Sequence, residues 1–375
     1  MDSLYIHIPF CRSKCHYCSF VSQAGQESLY HRYTMALIQE IKIRAEKIEP
    51  CRLKTIFIGG GTPTTVPLEL LSQVIESINH SFTLAGDVEF SLEANPESVE
   101  YEGLKRLRQL GINRISFGVQ SFNGAYLKQL GRVHSGIMAC EAVVSAAKAG
   151  FGKISLDLMY GLPGQEPKDH RHNVEQAVNL PITHLSIYEL LIEENTPFFT
   201  AQRKGFLHLP PEESVVAMDE ISFDICQKAG LTRYEISNFA RPGHECHHNI
   251  TYWQNREYMG VGAAAVSYEN GVRSKNSVET VEYCQLIESG QTATWEKEQL
   301  SKEKSFKETI ILGLRMIKGV EIQALVSRYQ IDFKDFYGGM LGELKEKNLL
   351  NWNKTHLYLT PLGLQFANQV MADLV

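Results

Sequence analysis

The sequence predicts an α/β fold: an open (β/α)6 barrel, that is a partial TIM barrel, followed by a small C-terminal winged-helix-like α+β domain. Three observations carry this expectation. Short β-branched or apolar runs alternate with amphipathic stretches through the first half, which implies right-handed βαβ crossovers and a parallel sheet. Six such units are present, short of the eight that close a complete barrel. The residues with unusual chemistry follow their strands at the carboxyl ends. A barrel gathers those ends around one rim, whereas a doubly wound sheet divides them about a switch point.

Taken in order, the strands are Leu4–Ile8, Thr55–Ile58, Val88–Leu92, Arg114–Val119, Ile154–Met159 and Leu185–Leu190. Between the first two, Leu29, Tyr33, Leu37, Ile41, Ala45 and Ile48 recur at helical spacing and mark one buried face. Further helices are expected over 67–79, 97–110, 135–149 and 169–179, with Gly111 and Gly150 suited to helix C-terminal stops. After about residue 200 the pattern loosens around Pro210-Pro211, Arg241-Pro242-Gly243 and Gly260–Ala265. From 301, helices near 303–318, 321–328 and 333–347 precede two short runs, Leu349–Trp352 and His356–Leu359, with Asn353-Lys354 at their turn. A closing helix starts with Pro361 at its first position. The expected boundaries are a barrel core over 1–235, a connecting segment over 236–300 and a C-terminal domain over 301–375.

Composition narrows the function classes. A length of 375 residues allows two or three domains at roughly 150 residues each. With 21% charged and 43% hydrophobic residues the chain is globular rather than disordered. A formal charge of −6 argues against a chain that coats nucleic acid or an anionic membrane. No apolar run approaches the roughly 18 residues of a membrane span, and no basic segment with an apolar core opens the chain. A cytoplasmic protein is expected.

Of eight cysteines, Cys11, Cys15 and Cys18 crowd one loop, while Cys51, Cys140, Cys226, Cys246 and Cys284 are scattered and read as small buried hydrophobes. A tight cluster in a cytosolic chain points to metal or redox chemistry. Three thiolates suit a [4Fe–4S] cluster with one iron left for a non-protein ligand. Zinc is the competing reading, with His16 as fourth ligand. Gly59-Gly60-Gly61-Thr62-Pro63 follows the second strand, Glu93-Ala94-Asn95-Pro96 ends the third, Gln120 ends the fourth and Asp157 closes the fifth. Singly, these carboxylates read as caps or salt-bridge partners, and Arg132 as a surface charge. Gathered at one rim, they read as a ligand site.

Cys-x3-Cys-x2-Cys with Tyr17 before the third cysteine, together with Gly-Gly-Thr-Pro, resembles the radical S-adenosylmethionine (SAM) superfamily. More narrowly, His7-Ile8-Pro9-Phe10-Cys11, Gly118-Val119-Gln120-Ser121-Phe122, Leu130-Gly131-Arg132, Tyr160-Gly161-Leu162-Pro163-Gly164 and Tyr234-Glu235-Ile236-Ser237-Asn238-Phe239-Ala240 resemble the oxygen-independent coproporphyrinogen III oxidase family. The likeness runs over almost the whole chain. It implies a radical SAM core in which SAM binds the open iron and is cleaved to a 5′-deoxyadenosyl radical. It also implies individual roles. Gly60, Gly61 and Thr62 approach the methionyl moiety, Glu93 accepts from its ammonium and Arg132 pairs with its carboxylate. Gln120 and Asp157 hold the ribose hydroxyls, and Tyr5 and Tyr17 pack near the adenosine. Relatives carry Ala-His-Ser where this chain has Ala265-Val266-Ser267, so Val266 is left only backbone and methyl contacts with the adenosine pocket.

That family divides into decarboxylases, which convert coproporphyrinogen III to protoporphyrinogen, and haem chaperones. The decarboxylases carry a further cysteine two places after the third, where this chain has Phe20, and an N-terminal extension, expected to be absent here. His248-Asn249-Ile250-Thr251-Tyr252-Trp253 matches the HNxxYW pattern of the chaperones. His248 is suited to ligating haem iron, and Tyr252 and Trp253 to covering a porphyrin face. His244, Cys246 and His247 stand beside it as alternative ligands, and a small zinc site stays open. The resemblance therefore implies a haem chaperone whose partners are haem, an acceptor haemoprotein and a reduced electron donor such as flavodoxin or ferredoxin, with no nucleic acid. Peripheral contact with a membrane during delivery is a further expectation. The alternative is oxygen-independent coproporphyrinogen III dehydrogenation by radical oxidative decarboxylation.

Overall fold

The computed structural model describes residues 1–47 and 52–375. β1 (Ser3–Ile8) opens the chain, and the paired short strands β2 (Phe10–Cys11) and β3 (Gln23–Ala24) bracket the cysteine loop. Next come α1 (Tyr30–Glu46), β4 (Arg52–Gly60), α2 (Leu68–Ser81), β5 (Thr83–Ala94), α3 (Tyr101–Gln109) and β6 (Arg114–Gln120). α4 (Gly124–Leu130), α5 (Gly136–Lys148), β7 (Lys153–Tyr160), α6 (Pro167–Val178) and β8 (His184–Glu189) complete the alternating part. Each of the six expected strands is found, and β1, β4, β5, β6, β7 and β8 lie side by side, all parallel.

Strand chemistry has period two. Ile115 and Phe117, Leu156 and Leu158, and Leu185 and Ile187 are buried in the apolar core. The residues between them, Ser116, Ser155, Asp157, Ser186 and Tyr188, line the barrel lumen. Alternate side chains point to opposite faces of a sheet, so this pattern gives an apolar outside and a polar inside.

The looser second half adds α7 (Pro197–Arg203), α8 (Glu212–Lys228), β9 (Thr232–Glu235), β10 (Asn238–Ala240), α9 (His247–Trp253) and β11 (Met259–Val261). β12 (Val266–Glu269), β13 (Val272–Asn276) and β14 (Thr294–Gln299) form a separate small sheet, with α10 (Thr280–Glu288) between the last two. Among the described residues the main sheet has nine strands in the order β11-β1-β4-β5-β6-β7-β8-β10-β9. β11 extends the parallel array beyond β1, and β10 runs antiparallel on β8. These strands of three residues are too short to show a period. The segment 236–300, read from its punctuation as a connector, is accordingly built into the barrel unit: one apolar core runs from Leu4 to Ala293.

A second core starts at Phe306 and ends at Leu374. It joins α11 (Lys302–Gly313), β15 (Val320–Glu321), α12 (Ile322–Tyr329), α13 (Phe333–Tyr337), α14 (Gly339–Glu346), the hairpin β16 (Leu350–Trp352) and β17 (His356–Leu359), and α15 (Pro361–Gln365) with α16 (Ala367–Asp373). Helices plus a sheet ordered β15-β17-β16 give the winged-helix-like unit. Two details differ from expectation. The helix over 333–347 breaks at Gly338, which adopts φ 53°, and the helix over 303–318 stops at Gly313. Among the described residues no helix is long and apolar enough to cross a membrane.

The face of α1 is also revised. Tyr33, Leu37 and Ile41 are buried as expected, but the buried arc includes Glu40, while Leu29 precedes the helix and Ile48 lies outside the described residues. Glu40 accepts hydrogen bonds from the Gly262 backbone N–H (2.7 Å), the Asn276 side-chain amide (2.8 Å) and the Tyr283 hydroxyl (2.6 Å). One buried carboxyl thus ties α1 to the turn after β11, to β13 and to α10. Glu40→Ala leaves three buried donors unpaired, at about 1–3 kcal/mol each. We expect a loss of at least about 3 kcal/mol in urea unfolding, with Glu40→Gln recovering part of it; an Ala variant as stable as wild type would refute this.

Candidate functional site

The cysteine loop follows β1 at its carboxyl end and is fixed mainly from outside. The Thr62 N–H donates to the Phe10 carbonyl (2.7 Å), Gln23 N–H to Pro9 (2.7 Å) and His16 N–H to Leu130 (3.0 Å). The glycine turn that follows β4 presses on the same loop. Gly60 has φ 116°, and a Cβ on Gly61 would stand 2.5 Å from the Phe10 carbonyl and 2.9 Å from Cys11 Sγ. Only glycine allows that approach.

Cys11, Cys15 and Cys18 line one cavity of about 330 Å³, together with Tyr17, Gly60, Gly61, Thr62, Glu93, Gln120, Arg132 and Asp157. Residues separated by well over a hundred positions meet because parallel strands deliver them to one end. Arg132 Nη1 donates to Cys15 Sγ (3.5 Å), and its Nη2 to Asn95 Oδ1 (2.6 Å) and the Gly118 carbonyl. Its Nε is buried without a partner. Glu93 accepts from the Gly60 N–H (3.2 Å), and Asp157 from the Ser116 hydroxyl (3.1 Å). Burial first, and the facing Asp157 second, push the Glu93 carboxyl up to about 8. Burial also raises Asp157, against the bonds from Ser186 and Ser116. Gln120 is held at φ 66° where β6 ends in an irregular register, a conformation uncommon for a residue with a side chain.

Three expected residues sit elsewhere. Tyr5 bonds His7 Nδ1 (2.9 Å) and lines a second, lower cavity of about 430 Å³ inside the barrel. Val266 pairs with Lys275 in the small sheet and lines neither cavity. His248 is fully buried, with Nδ1 against the Thr55 hydroxyl (2.9 Å) and Nε2 against the Tyr252 hydroxyl (2.9 Å). Both ring nitrogens are engaged, so the expected iron ligand has no lone pair to offer in this fold. Asp157 is the fifth residue of eight in β7 rather than its last, yet still faces the cavity. The structure adds Asn95, Ser116 and Tyr188 to the lining. The lumen alternation along β6, β7 and β8 is the signal that marks the last two.

His248 belongs to a plug at the amino ends of the strands. Glu89 accepts from the His248 N–H (3.1 Å) and from the Cys246 thiol (3.6 Å), and Arg114 donates to the His244 carbonyl (3.0 Å). Burial works against ionising Glu89, but Arg114, the His248 N–H and Lys153 hold its pKa below the usual range. Cys226, Cys246 and Cys284 are buried and Cys140 is half-buried, while Cys51 lies outside the described residues.

Among the described residues no three His, Cys, Asp or Glu side chains converge closely enough to hold one metal ion. His16 Nδ1 donates to the Gln129 carbonyl (2.8 Å), and neither zinc arrangement is formed. Three cysteine thiols lining one cavity fit a multi-iron cluster in which each would bind its own iron. The unpartnered Arg132 Nε and the buried Glu93 and Asp157 carboxyls beside them, both raised by burial, fit a zwitterionic ligand.

The Radical SAM superfamily matches residues 5–177, and the HemN C-terminal domain matches 300–366. The chain is 39% identical over 371 residues to "Heme chaperone HemW" of Bacillus subtilis (strain 168), spanning 99% of this chain and 98% of that protein. It belongs to the HemW family of radical SAM proteins. The family member of Lactococcus lactis subsp. lactis (strain IL1403) is 37% identical over 98% of this chain and 96% of its own, and that of Escherichia coli (strain K12) 38% over 70% and 69%. The structure of coproporphyrinogen III oxidase (HemN) from Escherichia coli superposes with a TM-score of 0.87 at 24% identity, covering 99% of this chain and 89% of that one, a likeness of fold. As radical SAM proteins, HemW family members use a [4Fe–4S] cluster and SAM.

Glu93 should carry a stability cost. Its carboxyl titrates near 4.5 when unfolded and near 8 when folded, so the stability it leaves is full below pH 4.5 and declines as pH rises toward 8. In cofactor-free protein, Glu93→Gln should match wild type near pH 4.5 and exceed it by roughly 2 kcal/mol or more at pH 8. A pH-independent difference in urea unfolding would refute the assignment.

Proposed function

We propose that this protein is a haem chaperone: it carries a SAM-ligated [4Fe–4S] cluster, binds haem and passes it to an acceptor haemoprotein. The observation that carries the reading is end-to-end similarity to proteins named "Heme chaperone HemW". Position 20 agrees with it, since the side chain there is a phenylalanine 69% exposed at the cavity rather than a cysteine.

In this reading Cys11, Cys15 and Cys18 would each hold one iron of the [4Fe–4S] cluster, with Glu93 and Arg132 placed to hold the amino and carboxylate groups of SAM beside it. When bound, the cluster and SAM supply a one-electron route to cleavage of the sulfonium C–S bond. The chain's own part is binding and orientation. Gly60 and Gly61 let backbone approach the methionyl group, with Thr62 beside Cys11. Glu93, once ionised, accepts from the ammonium, and Arg132 offers its free Nε–H to the carboxylate. Gln120 and Asp157 take the ribose hydroxyls, and Tyr17 flanks the adenosine. The fixed φ of Gln120 and the seryl bond on Asp157 pre-set those acceptors. A reduced electron carrier of the flavodoxin or ferredoxin type is the remaining partner, and the cytoplasm the setting.

Two experiments test this reading. Cys15→Ser should bleach the brown cluster chromophore and lower iron and sulfide content in protein purified without oxygen; unchanged content would remove Cys15 from the ligand set. An anaerobic haem titration of the wild type should saturate near one haem per chain with a ligand-type absorbance spectrum. Absence of specific binding, with SAM-dependent turnover of coproporphyrinogen III, would establish the decarboxylase instead.

A further inference from the structure

A protein that carries haem and must release it needs three things: a flat apolar wall, a nitrogen or sulfur with a free lone pair, and cations for two propionates. The barrel lumen has aromatic walls, Phe57 and Tyr252 among them, and two arginines, Arg114 and Arg315, but no free ligand atom. Both ring nitrogens of His7 and of His184 are bonded, the Cys246 thiol donates to Glu89, and three carboxyls, Glu93, Asp157 and Glu235, share the lining with the arginines. Outside the barrel floor, between α9 and the C-terminal domain, lies a cleft of about 270 Å³. Trp253 is common to the linings of this cleft and of the lower barrel cavity. Its indole Nε1 is buried with no partner, and the Arg315 guanidinium, which belongs to the barrel side, stacks on the ring at 4.4 Å.

We propose that haem seats edgewise in this cleft, against Trp253, with His356 as axial ligand and Lys318 and Arg328 facing the propionates. The proposal rests on the haem-chaperone reading and gives that cargo a place. His356 opens β17 opposite Glu321 and lines the cleft. Its Nδ1 is bonded to the Thr355 hydroxyl at 3.0 Å, and Nε2 has no partner among the described residues. A ring held through one nitrogen with the other free is the arrangement that iron ligation by histidine uses. Arg328 is anchored by donating to the Asn255 carbonyl (2.6 Å) and the Tyr268 hydroxyl (3.3 Å). Neither Arg328 nor Lys318 meets a carboxylate in an ion pair among the described residues, whereas the nearby Arg256 is matched by Asp2 (2.9 Å). Two uncompensated cations stand against one carboxylate in the lining, Glu321. The cleft is smaller than the roughly 300–1,000 Å³ of pockets that enclose drug-sized ligands. A tetrapyrrole held there keeps much of its face exposed, which suits transfer to an acceptor.

The test is a ferric haem titration of the full chain, cluster intact, comparing wild type with His356→Ala and Lys318→Glu. Both positions lie at the surface of the C-terminal domain, and iron and sulfide content of each variant serves as the folding control. We expect wild type to bind one haem, His356→Ala to weaken binding at least about tenfold and lose the ligand-type Soret band, and Lys318→Glu to weaken it several-fold without moving the band. Wild-type affinity and spectrum in both variants would overturn the cleft while leaving the chaperone reading intact. A wild-type chain that binds no haem would overturn both.

Discussion

Contact between the glycine turn and the cysteine loop is the constraint on which the rim depends. The loop bonds itself sparingly, as in Cys18 N–H to Cys15 (3.3 Å), so its three thiols have no fixed relation without outside support. That support comes from backbone. Gly61 N–H reaches Ile8 (2.9 Å) and Thr62 N–H reaches Phe10 (2.7 Å), bonds that continue the β1–β4 ladder past the strand ends. Because Gly61 has no room for a methyl, Cys11 lies directly on the turn. Arg132 closes the other side by bonding Cys15, and its guanidinium is in turn fixed by Asn95 and Gly118. Strands β1, β4, β5 and β6 are thus all needed to define where three sulfurs stand.

The same strands set opposite electrostatics at the two ends of the lumen. Glu89 and Glu93 are four residues apart on β5 and share its inner face, yet their pKa values move in opposite directions. At the floor, Glu89 has Arg114, Lys153 and the start of α9, and stays ionised. At the rim, Glu93 has one backbone N–H and faces another carboxyl, so burial dominates. One end of the barrel is electrostatically complete and structural. The other lacks its counter-charges, which is the mark of a site that a ligand completes.

Much of this was legible. Six βα units, the carboxyl-end rim and the cysteine loop all follow from local patterns, because propensity, period and turn chemistry agree there. The seventh parallel strand, β11, did not show, since Met259-Gly260-Val261 acquires its strand character from pairing with β1 rather than from its own composition. Glu40 was hidden for a related reason: a carboxylate on a helix reads as solvent-facing until its three donors, drawn from residues more than two hundred positions away, are known. Tyr5 and Asp157 were placed by motif, and motif does not resolve depth along a strand. Asp157 borders both the rim cavity and the lower one, while Tyr5 lines the lower one alone.

The HNxxYW segment shows how one motif serves two surfaces. On a helix, residues four apart stack on one face while the next residue is turned by about 100°. His248 and Tyr252 therefore meet, their rings 5.0 Å apart and nearly perpendicular, and their hydrogen bond turns both toward the barrel floor with Thr55. Trp253, one step on, is turned away from that pairing and borders both the lower barrel cavity and the cleft toward α11 and α12. A sequence reading that treats the three residues as one patch assigns them one ligand. The helix assigns them two tasks, closing the barrel and presenting an indole to the C-terminal domain, and it is the unbranched i to i+4 spacing of His and Tyr that separates them.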